Sequence, residues 1–159
     1  MESTLDIEFQ QGLPTEDDIN EFTDGTFHSL IIIDDLMQSM MSDKYAQELI
    51  TKVSHHKLVN IIYINQNLFS QGKNSRTIAV NMHYIIFLRN PRSHSQLISL
   101  GKQTGMTKTL LEAYADSMTQ HPFGYLIYNL SPKCDNDNFV LMSNIMPEDE
   151  GIITYKSVN

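Results

Sequence analysis

The chain has 159 residues, enough for one globular domain with a real core, and its hydrophobic share of 41% with five prolines and seven glycines is a globular composition. No apolar run comes near the length that crosses a bilayer, and Met1 to Asp6 lacks the basic start and apolar core of a secretory signal, so the sequence predicts no membrane span and a protein kept inside the cell, in nucleus or cytoplasm. The net charge of −8 argues against nucleic acid only as an average: residues 1–43 hold eleven acids and no Lys or Arg, whereas residues 44–108 hold nine Lys and Arg against Glu48 alone.

Leu5 to Phe9 alternates apolar and charged residues, the pattern of a short edge strand. Thr15 followed by three acids predicts a helix start that runs to Phe22. Leu30 to Ile33 is continuously apolar, as in a strand covered on both faces, and runs into Asp34 and Asp35. Ser42 or Asp43 caps an expected crossover helix on which Ala46, Leu49, Ile50 and Val53 form the apolar stripe. Leu58 to Ile64 is a second buried strand, ending in Asn65-Gln66-Asn67, and Met82 to Leu88 a third, ending in Arg89-Asn90. Helices are expected over 93–102 and 107–118 around Gly105, then a strand over 123–130, a polar loop, a weaker strand over 139–145 and a frayed tail. Strands alternating with helices, with polar residues at strand carboxyl ends, predict an open parallel α/β sheet with its ligand beyond Asp34, Gln66 and Asn90.

The chemistry concentrates at those strand ends. An aliphatic strand running into two acids has the form of a Walker B motif, in which the first acid holds magnesium through water and the second polarises an attacking water. A strand that ends in two solvated acids at a helix start has the same pattern. An amide such as Gln66 on the neighbouring strand can orient water and sense a γ-phosphate, although a strand-end amide also serves as a plain turn residue. The basic middle of the chain is either a phosphate-binding surface or a solvated face paired with flanking acids. Cys134 has no partner cysteine and sits in a polar run, which reads as an inert thiol, and His55-His56 has no third ligand at metal spacing. Met37, Met40 and Met41 have helical spacing and read as helix packing.

Leu30 to Met37, Ser54-His55-His56, Ile64 to Phe69, Gly72 to Ile78 and Asn81 to Arg92 together resemble the genome-packaging ATPases of the FtsK/HerA superfamily found in Polinton-like elements and related double-stranded DNA viruses. The resemblance spans roughly residues 5–130. It implies a three-layer P-loop fold with a mainly parallel sheet and flanking helices. It also implies Mg2+ and ATP as cofactors of the intact parent, sequence-independent double-stranded DNA as partner, and a homo-oligomeric ring. In that family the acid aligned with Asp34 serves the magnesium, the acid aligned with Asp35 activates water and the amide aligned with Gln66 senses nucleotide. Asp35 replaces the superfamily's more usual glutamate and is shorter by one methylene.

No Gly-x-x-x-x-Gly-Lys-Ser/Thr phosphate loop occurs in the sequence. The expectation is therefore a partial P-loop domain over residues 1–145, with a tail over 146–159, that starts internally and lacks the Walker A strand between its second and third strands. Such a chain binds no nucleotide tightly on its own. Its rival is a non-catalytic mobile-element remnant that contacts at most DNA or a neighbouring subunit. Arg76 and Arg92 are candidate arginine fingers, or structural arginines, and Lys73 with Arg76 are candidate DNA-phosphate contacts, or solvated loop cations.

Overall fold

The computed structural model describes residues 7–23, 28–69, 73–120 and 122–156, and the chain divides into two compact units, residues 1–81 and 82–159. In the first, α1 (Glu16–Phe22) starts at Thr15, whose hydroxyl accepts from the Asp18 backbone N–H while the Asp18 carboxylate accepts from the Thr15 backbone N–H. This reciprocal pair satisfies two donors that a helix start leaves unpaired. Strand β1 (Ser29–Asp34) is followed by α2 (Met37–Ser42), which buries Met40 and Met41, and then by a helical run. That run comprises α3 (Lys44–Glu48), a π-helical turn (Leu49–Val53) and α4 (Ser54–His56). Asp43 caps it by accepting from the Tyr45 N–H at 2.8 Å, and Ala46, Leu49 and Val53 are its buried stripe.

The run is a crossover. It leads into β2 (Val59–Ile64), which lies parallel to β1 in a register from Ser29 opposite Val59 to Asp34 opposite Ile64. Leu58, at the entry to β2, has φ +51. Helix α5 (Ser75–Asn81) completes the unit. The edge strand expected over Leu5 to Phe9 is irregular over its described part, with Ile7 and Phe9 exposed, while Leu5 and Asp6 lie outside the described residues.

In the second unit β3 (Tyr84–Leu88) leads to α6 (His94–Thr104) and α7 (Thr107–Gln120), which pack on each other and turn at Gly105 in the left-handed region, φ +73. Such a residue after a helix end is the usual place for glycine, which has no Cβ to clash. Strands β4 (Tyr125–Asn129), β5 (Leu141–Ser143) and β6 (Ile153–Tyr155) follow, in the order β3-β4-β5-β6 with every pairing antiparallel. Leu97, Leu110, Leu126 and Leu141 are fully buried in this unit.

The fold is thus mixed α/β, with a parallel two-stranded sheet and an antiparallel four-stranded one among the described residues. The single, mainly parallel sheet expected from the sequence is not what these strands form. One helical crossover returns the chain to start β2 alongside β1, whereas two antiparallel helices between β3 and β4 leave the chain at the end where β3 finished, so β4 runs back. The strands are also covered on one face rather than two. Ile33 and Phe87 are buried, while Ile32 is 59% and Leu88 67% exposed. The tail carries structure: the Tyr125 hydroxyl accepts from the Ile145 N–H at 2.7 Å and donates to Asp149, and β6 pairs with β5.

Candidate functional site

Asp34 is the last residue of β1 and lies opposite Ile64, the last of β2, so the segments that follow both strands leave from the same end of a parallel ladder. Strands in such a ladder are about 4.8 Å apart. Asp34 and Asp35 are both exposed, and Asp35 has φ +55, a left-handed backbone that side chains with a Cβ seldom adopt. The bend at Asp35 turns the chain from β1 into α2, whose capping position, Leu36, supplies no side-chain bond.

Beyond β2, Asn65 and Asn67 hold the turn. The Asn67 N–H donates to Asn65 Oδ1 at 3.1 Å, Asn65 Nδ2 donates to the Asn67 carbonyl at 2.6 Å, and the Phe69 N–H donates to Asn67 Oδ1 at 3.1 Å. Asparagine side chains commonly stabilise turns in this way. Gln66, between them and exposed, takes no part in these bonds. The backbone is thereby set by its neighbours and the Gln66 amide is left for another role.

Lys73 and Arg76 are exposed on either side of Asn74, which is 5% exposed. Asn74 Nδ2 donates to the Met40 carbonyl at 2.9 Å and the Asp43 carbonyl at 2.6 Å, and its backbone N–H donates to the Met41 carbonyl at 3.3 Å. The Asn74 carbonyl accepts from the Ile78 N–H in α5. One buried amide thus pins the Lys73–Arg76 segment to the corner between α2 and α3. Sequence reasoning passed over Asn74, because an asparagine inside a polar, glycine-containing motif has the composition of a solvated loop.

Arg92 belongs to the second unit, where it is exposed and its N–H donates to Asn90 Oδ1 at 2.9 Å. The Tyr114 hydroxyl clamps this turn: it accepts from the Asn90 N–H at 2.9 Å and lies 3.3 Å from the Leu88 carbonyl and 3.2 Å from that of Asn90. The open hollow of this unit, bordered by Gly105, Asp135, Asp137 and Tyr155, contains none of the candidate residues.

Among the described residues no three His, Cys, Asp or Glu side chains converge as a metal site. Magnesium is ordinarily held by one or two carboxylates together with substrate phosphates, and the exposed Asp34 and Asp35 fit the first requirement. The second is not met by any phosphate-cradling loop in the sequence, so the residues fit the metal-facing half of a nucleotide site and not the phosphate-facing half. Among the described residues no helix is long and apolar enough to cross a membrane. Compared with family models, curated proteins and solved structures, the chain matches none.

Proposed function

We propose that this chain carries the magnesium and sensor half of an ATP-driven DNA translocase of the FtsK/HerA packaging type, with Asp34 for the metal, Asp35 for the attacking water and Gln66 as nucleotide sensor. The observation that supports it is the parallel β1–β2 ladder, with the acid pair and the Asn65–Asn67 turn beyond one end. Ligands of α/β sheets lie beyond strand carboxyl ends, where fixed side chains from adjacent strands can share one small molecule. Bound Mg2+ and ATP would bring a charged phosphoryl group to that edge. Asp34 offers a carboxylate there and Gln66 an amide that can donate or accept. In this reading Arg76 and Arg92 act on a neighbouring subunit's nucleotide in a ring, and Lys73 with Arg76 contacts the DNA backbone.

The absence of a phosphate loop favours a second reading, a non-catalytic α/β module that binds DNA or a subunit and turns over nothing. One experiment separates them. The chain alone is expected to bind ATP weakly and not to hydrolyse it. The same chain joined to an upstream strand and phosphate loop is expected to hydrolyse ATP, with activity lost in Asp34→Ala and strongly reduced in Gln66→Ala. A joined protein that stays inactive supports the non-catalytic reading. Robust turnover by the unjoined chain, abolished by Asp34→Ala, overturns the half-site assignment.

A further inference from the structure

The Lys73–Arg76 segment carries a feature that a solvated loop does not need. Three of its residues are polar or charged, two of these are exposed, and the one between them, Asn74, is buried with both amide hydrogens given to backbone carbonyls more than thirty residues earlier. Burying a carboxamide is costly unless its donors are satisfied, and here both are, by the Met40 and Asp43 carbonyls at the end of α2 and the start of α3. The Met40 carbonyl lies in the last turn of α2, where intrahelical donors run out. Asp43 is itself engaged through its carboxylate, which caps α3 at the Tyr45 N–H. The corner is therefore fixed from one side by Asp43 and from the other by Asn74.

The same corner lies at the far end of α2, the six-residue helix that follows the left-handed bend at Asp35. A chain of short, fixed connections thus runs from Asp34-Asp35 through α2 to Asn74, and from Asn74 to the exposed cations on either side. We infer that Asn74 is a positioning residue that holds Lys73 and Arg76 in place for the phosphates of duplex DNA and ties them to the helix leaving the acid pair. The inference rests on the DNA-contact reading above and adds to it the residue through which those contacts are held.

Phosphate contacts made by fixed cations release counterions, so the slope of log affinity against log salt falls by roughly one for each cation taken away. The test measures binding of the full 159-residue chain to two unrelated DNA duplexes across a series of salt concentrations, at a temperature well below the unfolding midpoint of every variant. The Lys73→Ala/Arg76→Ala double variant should lower the slope by about two on both duplexes. Asn74→Ala should lower it by a similar amount, and adding Asn74→Ala to the double variant should lower it no further, because the contacts it holds are already gone. Asn74→Asp, which cannot donate to either carbonyl, should behave like Asn74→Ala. Asn74→Ser, a milder change should the others fail to fold, should give a smaller loss.

A residue that only supports the fold would change the unfolding midpoint and the fraction of active protein, and leave the salt slope of the folded molecules unchanged. Asn74 variants that keep the parental slope while the double variant loses it overturn the positioning role and leave the DNA contacts standing. A double variant with the parental slope removes the DNA-contact reading itself, and this inference with it.

Discussion

Asp35 gives the sharpest test of how the candidate site is built, because its backbone lies at φ +55 while its side chain is exposed. A residue with a Cβ in this region costs about 1–2 kcal/mol from its own carbonyl, and aspartate is among the side chains that tolerate it best. Replacing Asp35 by glycine removes the conflict and adds unfolded-chain freedom worth roughly 0.5–1 kcal/mol, so the two effects nearly offset. Replacing it by alanine keeps the Cβ and removes the short polar group. Neither variant retains the carboxylate, so their difference isolates the backbone. Asp35→Ala should be less stable than Asp35→Gly by about 1 kcal/mol. In a unit the size of residues 1–81 this corresponds to roughly 4–8 °C in the unfolding midpoint. Thermal and urea unfolding, followed by circular dichroism, measure it directly. If Asp35→Ala is as stable as Asp35→Gly or more so, the left-handed bend is not a fixed feature of the strand end, and the account of how Asp34 and α2 are joined fails.

Three further outcomes follow from the packing. Ile33→Ala, at a position 2% exposed, should cost about 2–5 kcal/mol, whereas Ile32→Ala on the open face should stay within about 1 kcal/mol in the same urea titration; equal losses would mean the face assignment is wrong. Tyr114→Phe leaves the Asn90 N–H without its hydroxyl partner and should destabilise by about 1–3 kcal/mol. Tyr63→Phe, which deletes a hydroxyl buried without a partner among the described residues, should be neutral or stabilising. Asp18 has a pKa below the ordinary carboxylate value, held there first by the Gln10 side-chain bond and then by Thr15. Its folded pKa is depressed, so its contribution is present above the unfolded carboxylate value and is lost as pH falls through the folded one. An acid titration of α1 helicity should show this loss, and Asp18→Asn should remove that pH-dependent component.

The strands and helix starts were legible because local chemistry determines them. Leu30 to Ile33 and Leu58 to Ile64 are apolar runs that nothing but a buried or half-buried strand accommodates, and Thr15 with Asp18 three residues on is a capping pair readable by eye. The parallel sense of β1 and β2 was legible as well, since a single crossover helix lies between them. The direction of β3 against β4 was not, because an apolar run carries no polarity and the helical pair α6–α7 decides which way the chain returns. Tyr114 and Asn74 were invisible for another reason: they act by side-chain bonds to backbone atoms 24 to 34 residues away, and no local pattern records such a pairing.

The π-helical turn at Leu49–Val53 makes the length of this stretch as constrained as its composition. A π turn accommodates one residue more than an α-helix would, so deleting a residue there would restore regular winding and swing everything after it by roughly 100° about the helix axis. Val53 would leave the buried stripe, and β2 would either meet β1 from the wrong side or slip by one position, turning Ile61 and Tyr63 outward and Ile62 and Ile64 inward. Leu58, already in the left-handed region, has little freedom left to absorb the change. Variation among relatives should therefore fall on which side chains occupy 44–58, while insertions and deletions are confined to the segments on either side.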